Sequence, residues 1–221
     1  MHPIITKRAE AMRDGFPRMA GVLFRNPSWW LLGLLVAALL VPAFGGDRWR
    51  EALRYEREAV LAGEYWRLLT AHFVHGTPRH LWLNALGLGV IAALFPRGYT
   101  PAAWLLILAC SVLAIDAAFV FYEPQLQWYV GFSGVLHGAL AAGTIALWKH
   151  ESKALALGLA VLLCFKLGWE QWHGALPLAG ELPVVVDAHL YGAIGGSIGA
   201  VLVALASRGV TRQWLQGRRS L

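Results

Sequence analysis

At 221 residues, with 57% hydrophobic and only 14% charged, the chain is too apolar for an ordinary soluble domain, in which about a quarter of residues are charged. A spanning helix takes about 20 apolar residues, so six spans and their connections would use nearly the whole length and leave no room for a separate soluble domain. The net charge of +6 does not point to nucleic acid, because the Lys and Arg residues lie in short segments between apolar runs and not along one amphipathic face.

In chain order, residues 1–27 form a basic segment with Lys7, Arg8, Arg13, Arg18 and Arg25. The first apolar run, 28–44, lacks an Ala-x-Ala cleavage pattern and is expected to stay as the first span. Residues 47–65 mix charges with aromatics, as an amphipathic segment at the outer interface would. Further apolar runs occupy 80–95, 101–121, 132–148, 154–171 and 184–207, and a basic tail fills 208–221. The expected architecture is therefore all-α: a cytoplasmic segment over 1–27, a six-transmembrane-helix bundle over 28–207 and a cytoplasmic tail over 208–221. No internal repeat marks an inverted-repeat transporter.

Six spans put both ends on one side. That side would hold twelve of the nineteen basic residues, counting Arg97, Lys149, Lys153, Arg208, Arg212, Arg218 and Arg219 with the front five. The opposite side holds six, diluted by eight acids between Asp47 and Asp187. By the positive-inside rule both termini are cytoplasmic. Cys110 and Cys164 lie within apolar runs, without the spacing of a metal site or a disulfide framework.

Ionisable and strongly polar groups inside spans are costly and mark function. Here they are His72, His75, His80, Asn84, Asp116, Ser133, His137, Glu170 and His189. Spans two, four and six run in the same direction. At 1.5 Å rise per residue, Ser133 lies about 24 Å from Lys149, His80 about 26 Å from Arg97 and His189 about 29 Å from Arg208, which places all three just beneath the outer boundary of a core about 30 Å thick. Gly134 with Gly138, Gly192 with Gly196 and Gly195 with Gly199 have the four-residue spacing that lets membrane helices approach closely. Such an approach would bring Ser133 within hydrogen-bonding range of His189, as a base that activates a hydroxyl requires. A lone Ser or a lone glycine pair ordinarily serves packing; the coincidence of Ser, His and Asn at one depth is what points to chemistry.

These residues resemble the rhomboid family of intramembrane serine proteases. Gly131-Phe132-Ser133-Gly134 is similar to its GxSG, Ala188-His189-Leu190-Tyr191-Gly192 to its AHxxG, and His75, His80 and Asn84 to its HxxxxHxxxN. The resemblance covers roughly 28–207, includes Trp66-Arg67, and in the string from Gly131 to Gly138 is most like the rhombosortase subfamily. It implies six helices around a water-filled cavity open to the periplasm, in a bacterial inner membrane. Ser133 would be the nucleophile and His189 the base, with His80, Asn84 and the Ser133 N–H as oxyanion donors. The implied partner is a membrane protein with a transmembrane helix or a C-terminal anchor, in the rhombosortase case one with a Gly-Gly-like tail. No metal, nucleotide or other cofactor is implied, nor any particular oligomeric state.

Where many rhomboids carry a Tyr one turn after the serine, this chain has His137, which would either stack on His189 or itself reach Ser133. Asp187 reads as an outer-surface charge. Asp116 and Glu170, near outer ends of spans, are expected to reach water by snorkelling and are given no catalytic role. His72 and His75 are expected at the cavity rim. The competing classes are a silent rhomboid-like adaptor, which would lack the serine or the histidine, and a small channel or transporter, which would not need Ser133.

Overall fold

The computed structural model describes residues 29–175 and 184–217. The basic residues at 1–27 and the last of the tail, with Arg218 and Arg219, lie outside the described residues. An apolar helix α1 (Trp29–Leu40) continues through a 3-10 turn into α2 (Gly46–Leu53). A two-residue strand β1 (Tyr55–Glu56), α3 (Arg57–Leu61) and α4 (Trp66–Thr70) follow. The long helices are α5 (Pro78–Leu94), α6 (Pro101–Phe121), α7 (Ser133–His150), α8 (Lys153–His173) and α9 (Asp187–Gly217), with β2 (Trp128–Tyr129) before α7.

Local chemistry sets several of these boundaries. Thr77 and Thr100 each precede a proline at the first helical turn, and their hydroxyls accept from the backbone N–H of His80 (3.2 Å) and Ala103 (3.3 Å). Ser152 does the same for Leu155 at the start of α8. Such caps satisfy amides that a helix start otherwise leaves open.

Among the described residues, four helical stretches are long and apolar enough to cross a membrane: Trp29–Leu53, Pro101–Phe121, Lys153–His173 and Asp187–Ser207. Together with α5 and α7 they make six long helical stretches, but α5 and α7 fall short of that combination of length and apolarity. For α7, position explains why. Along α7 nearly every residue from Gly134 to Leu147 is buried or half-buried against other helices, so its polar residues meet protein and not lipid. α9 runs on past Ser207 to Gly217, well into the span expected as a tail.

Glycines decide how close the central helices lie. A methyl group at Gly192 would overlap the carbonyl of Gly134, and one at Gly196 the carbonyl of Gly138. Successive turns of α9 thus meet successive turns of α7 in the same direction, and the two helices are parallel. The other glycine pair of α9 faces elsewhere: Gly195 abuts the Cys110 carbonyl and Ala114, and Gly199 abuts Ile107, so this ridge packs on antiparallel α6. The two spacings of α9 serve two different neighbours.

The segment over 47–65, expected as one amphipathic stretch, instead folds as α2, β1 and α3. Tyr55 pairs with Tyr129 and Glu56 with Trp128, antiparallel. Arg67, only 9% exposed, holds this cap together. Its guanidinium donates to the Glu51 carbonyl (2.7 Å), the Arg54 carbonyl (2.9 Å) and the Glu64 carboxylate (2.6 Å). Arg57 donates to the last carbonyls of α6, Phe119 (2.9 Å) and Val120 (3.3 Å), where a cation also opposes the negative helix terminus.

Replacing Gly192 by Val forces a side chain into the Gly134 backbone and is expected to lower stability by about 3 kcal/mol, read as a fall in melting temperature in detergent. Gly168→Ala, where no atom lies within 4 Å of the added carbon, is expected to leave the melting temperature unchanged.

Candidate active site

One cavity of about 530 Å³ opens among the starts of α5, α7 and α9 and the end of α8, and His80, Asn84, Ser133, His137, Glu170 and His189 all line it. α7 begins at Ser133 itself. The first amides of a helix have no partner within it, so the Ser133 N–H is directed off the helix end. Gly131, two residues earlier, has φ of +124°, a conformation natural to glycine alone. A side chain there would also strike the His80 imidazole.

The turn is clamped from two sides. The Gly131 N–H donates to the Ala71 carbonyl (3.0 Å), and the buried Tyr129 hydroxyl donates to the Gly131 carbonyl (2.6 Å). Tyr129 in turn packs edge-on against His72 and Phe119.

Ser133 Oγ lies 2.9 Å from His189 Nε2. The His137 ring stacks on His189 at 4.1 Å between centroids and 17° between planes. Its Nδ1 is 2.7 Å from the Ser133 main-chain carbonyl. That oxygen can only accept, so Nδ1 carries the proton, and His137 reaches the serine backbone and not its hydroxyl. On α5, His80 and Asn84 stand one turn apart. Asn84 is buried, and its Nδ2 has no hydrogen-bond partner among the described residues, which leaves a donor available at the cavity it lines. His75 packs edge-on against His80 at 5.0 Å. Burial, reinforced by His80, lowers its pKa to about 3, so this imidazole is neutral at physiological pH.

Three of the expected placements require correction. His72 does not rim the cavity: it is fully buried, with Nε2 3.2 Å from Asp116 Oδ1. Asp116, 9% exposed, is a buried partner of that imidazole and not a snorkelling charge. Glu170 is 3% exposed and sits behind His189, with Oε2 2.8 Å from His189 Nδ1 and 2.6 Å from Lys166 Nζ. Sequence reasoning had discounted both acids on their nearness to span ends. The usable signal was that Lys166 and Glu170 lie four apart on one helix face.

His137, Glu170 and His189 offer ligand atoms within 4.8 Å of one another. Lys166 already occupies the carboxylate oxygen and both His189 nitrogens are engaged, so a metal ion would have to displace the ammonium and break the contact to Ser133.

Residues 62–206 match the family model described as the Rhomboid domain. YdcA of Bacillus subtilis strain 168, which carries a rhomboid protease name, is 30% identical over 190 residues, or 82% of this chain and 85% of its own length. Rhomboid protease GluP of the same bacterium is 29% identical over 158 residues, 70% of this chain. The chain spans only 29% of the length of GluP.

Removing the Tyr129 hydroxyl strands the buried Gly131 carbonyl. Tyr129→Phe is expected to cost about 1–3 kcal/mol, measured by thermal unfolding of the solubilised protein.

Proposed function

The chain belongs to the rhomboid family, and we propose that it is an intramembrane serine endopeptidase in which Ser133 is the nucleophile and His189 the general base. The observation that carries this reading is the 2.9 Å contact of Ser133 Oγ with His189 Nε2 inside a cavity. In the proposed membrane arrangement α5 and α7 complete six crossings, with both termini cytoplasmic and the site beneath the periplasmic face of a bacterial inner membrane.

The reaction proceeds in two halves. His189 Nε2 accepts the proton of Ser133 as Oγ attacks the scissile carbonyl, and the imidazolium returns that proton to the leaving amine as the peptide bond breaks. Water then attacks the acyl carbon as it loses a proton to His189, and the ester bond to Ser133 Oγ breaks as the imidazolium returns that proton to Oγ, releasing the new carboxylic acid end and the free enzyme. The developing oxyanion is received by Asn84 Nδ2, the His80 ring N–H and the Ser133 backbone N–H. Each is a donor fixed before the reaction and costs no reorganisation when charge appears. Gly131 and Gly134 leave space for the turn and for the approach of α9. His137 packs on the face of the base, and His75 on His80.

The substrate is a membrane protein with a transmembrane helix or a C-terminal apolar anchor. It enters beside the bundle and unwinds locally, because a helical peptide hides its carbonyls in its own hydrogen bonds. Glycine near the cut eases that unwinding. The likeness of Gly131 to Gly138 to the rhombosortase string supports a Gly-Gly-type sorting tail as the specific substrate. An adaptor role is not favoured, since both Ser133 and His189 are present and in contact.

A fluorophosphonate probe applied to detergent-solubilised protein is expected to label the parent chain and His137→Ala but neither Ser133→Ala nor His189→Ala. Label retained in His189→Ala would move the base to His137. Label retained in Ser133→Ala would end the protease reading. Asn84→Ala is expected to lower kcat by about 10²–10³, with KM for a transmembrane peptide substrate nearly unchanged.

A further inference from the structure

α8 turns most of its outer residues to the surroundings, Val161, Leu162, Phe165, Trp169 and Trp172 among them. Its buried residues are Ala156, Leu163 and, alone among them in carrying charge, Glu170 at 3% exposure. A carboxylate buried in an apolar bundle costs several kcal/mol unless paired. Here one oxygen, Oε2, meets both partners: Lys166 Nζ at 2.6 Å and His189 Nδ1 at 2.8 Å. Lys166 Nζ is also 3.4 Å from His189 Nδ1 itself.

This three-way contact decides the tautomer of the imidazole. Nζ is a donor only. With the carboxylate between them, Nδ1 carries a proton towards Glu170 and Nε2 keeps its lone pair for Ser133. Without the carboxylate, the ammonium would donate to the Nδ1 lone pair. The ring proton would then sit on Nε2, facing Ser133 Oγ, and the imidazole could not accept the serine proton.

Resting on the dyad reading above, we propose that Glu170 is a positioning residue for His189, holding the imidazole as the Nδ1–H tautomer, and that Lys166 keeps this carboxylate in place. Glu170 touches neither substrate nor reacting atoms and acts only through the base. The other titratable groups that face His189 are His137 on α7 and His80 on α5, while Asp187, two residues before it, lies on another face of its own helix. None of them offers an acceptor to Nδ1 in this structure, whereas Glu170 does.

The test compares the parent with Glu170→Ala, Lys166→Met and the double variant, using full-length protein in detergent. In Glu170→Ala the rate constant for fluorophosphonate labelling is expected to fall by about 10–100-fold, and the acid limb of its pH profile to move to lower pH, because the imidazolium has lost its counter-charge. In Lys166→Met the limb is expected to move to higher pH. The double variant is expected to recover part of the rate lost in Glu170→Ala, since the competing donor is gone.

A 15N-histidine spectrum, with His189 assigned by its loss in His189→Gln, reads the proton position without any activity. The expected result is Nδ1–H in the parent and Nε2–H in Glu170→Ala. Unmoved acid limbs, no recovery in the double variant, or Nε2–H in the parent would each overturn the proposal. Failure of the dyad reading looks different: label on the parent would survive Ser133→Ala.

Discussion

The contact between the backbones of α7 and α9 governs everything else in this protein. With hydrogen in place of a side chain at Gly134, Gly138, Gly192 and Gly196, the two helices touch through their carbonyls. In lipid there is little hydrophobic gain in bringing helices together, so close van der Waals packing has to supply the association. Because the two helices are parallel, Ser133, just before Gly134, and His189, one turn before Gly192, meet as well and are held 2.9 Å apart. Two short side chains could not span a wider gap. Gly195 and Gly199 anchor the opposite ridge of α9 on α6, which fixes the rotation of α9 and therefore the direction in which His189 points.

A second constraint is electrostatic. The interior collects polar groups that a membrane core disfavours, and most are matched to a partner or to the cavity. Asp116 meets His72, Glu170 meets Lys166 and His189, and His137 meets the Ser133 carbonyl. Asn84 Nδ2, like His72 Nδ1 and His75 Nε2, is buried and unpartnered among the described residues, but of these three residues it is Asn84 that lines the cavity. The arrangement concentrates polarity at one end of α5, α7 and α9 and leaves the outer faces of α6 and α8 apolar.

The structure outside the long helices acts as a jig for the turn before Ser133. Arg67 binds the ends of α2 to the loop before α4, and Arg57 binds α3 to the end of α6. The β1–β2 pair ties that assembly to the strand leading into Gly131. The Ala71 carbonyl and the Tyr129 hydroxyl then hold the Gly131 peptide from both sides. The left-handed Gly131 conformation is thereby fixed by several hydrogen bonds and aims Ser133 into the cavity.

Composition alone placed this chain in a membrane, and counting along each helix placed Ser133, His80 and His189 at one level, because rise per residue is a local property of any α-helix. The Thr77-Pro78 and Thr100-Pro101 starts and the glycine spacings were legible for the same reason: each is set by residues within one or two turns. Which neighbour each glycine pair of α9 meets was not legible, nor was the pairing of Tyr55 with Tyr129, nor the burial of His72 and Asp116. Glu170 is the clearest case. Its distance from the end of α8 suggested contact with water, yet the rotation of α8 about its own axis turns it inward onto His189. Depth follows from sequence position, but rotation and neighbour choice follow from how all the helices pack at once, and only the tertiary structure decides those.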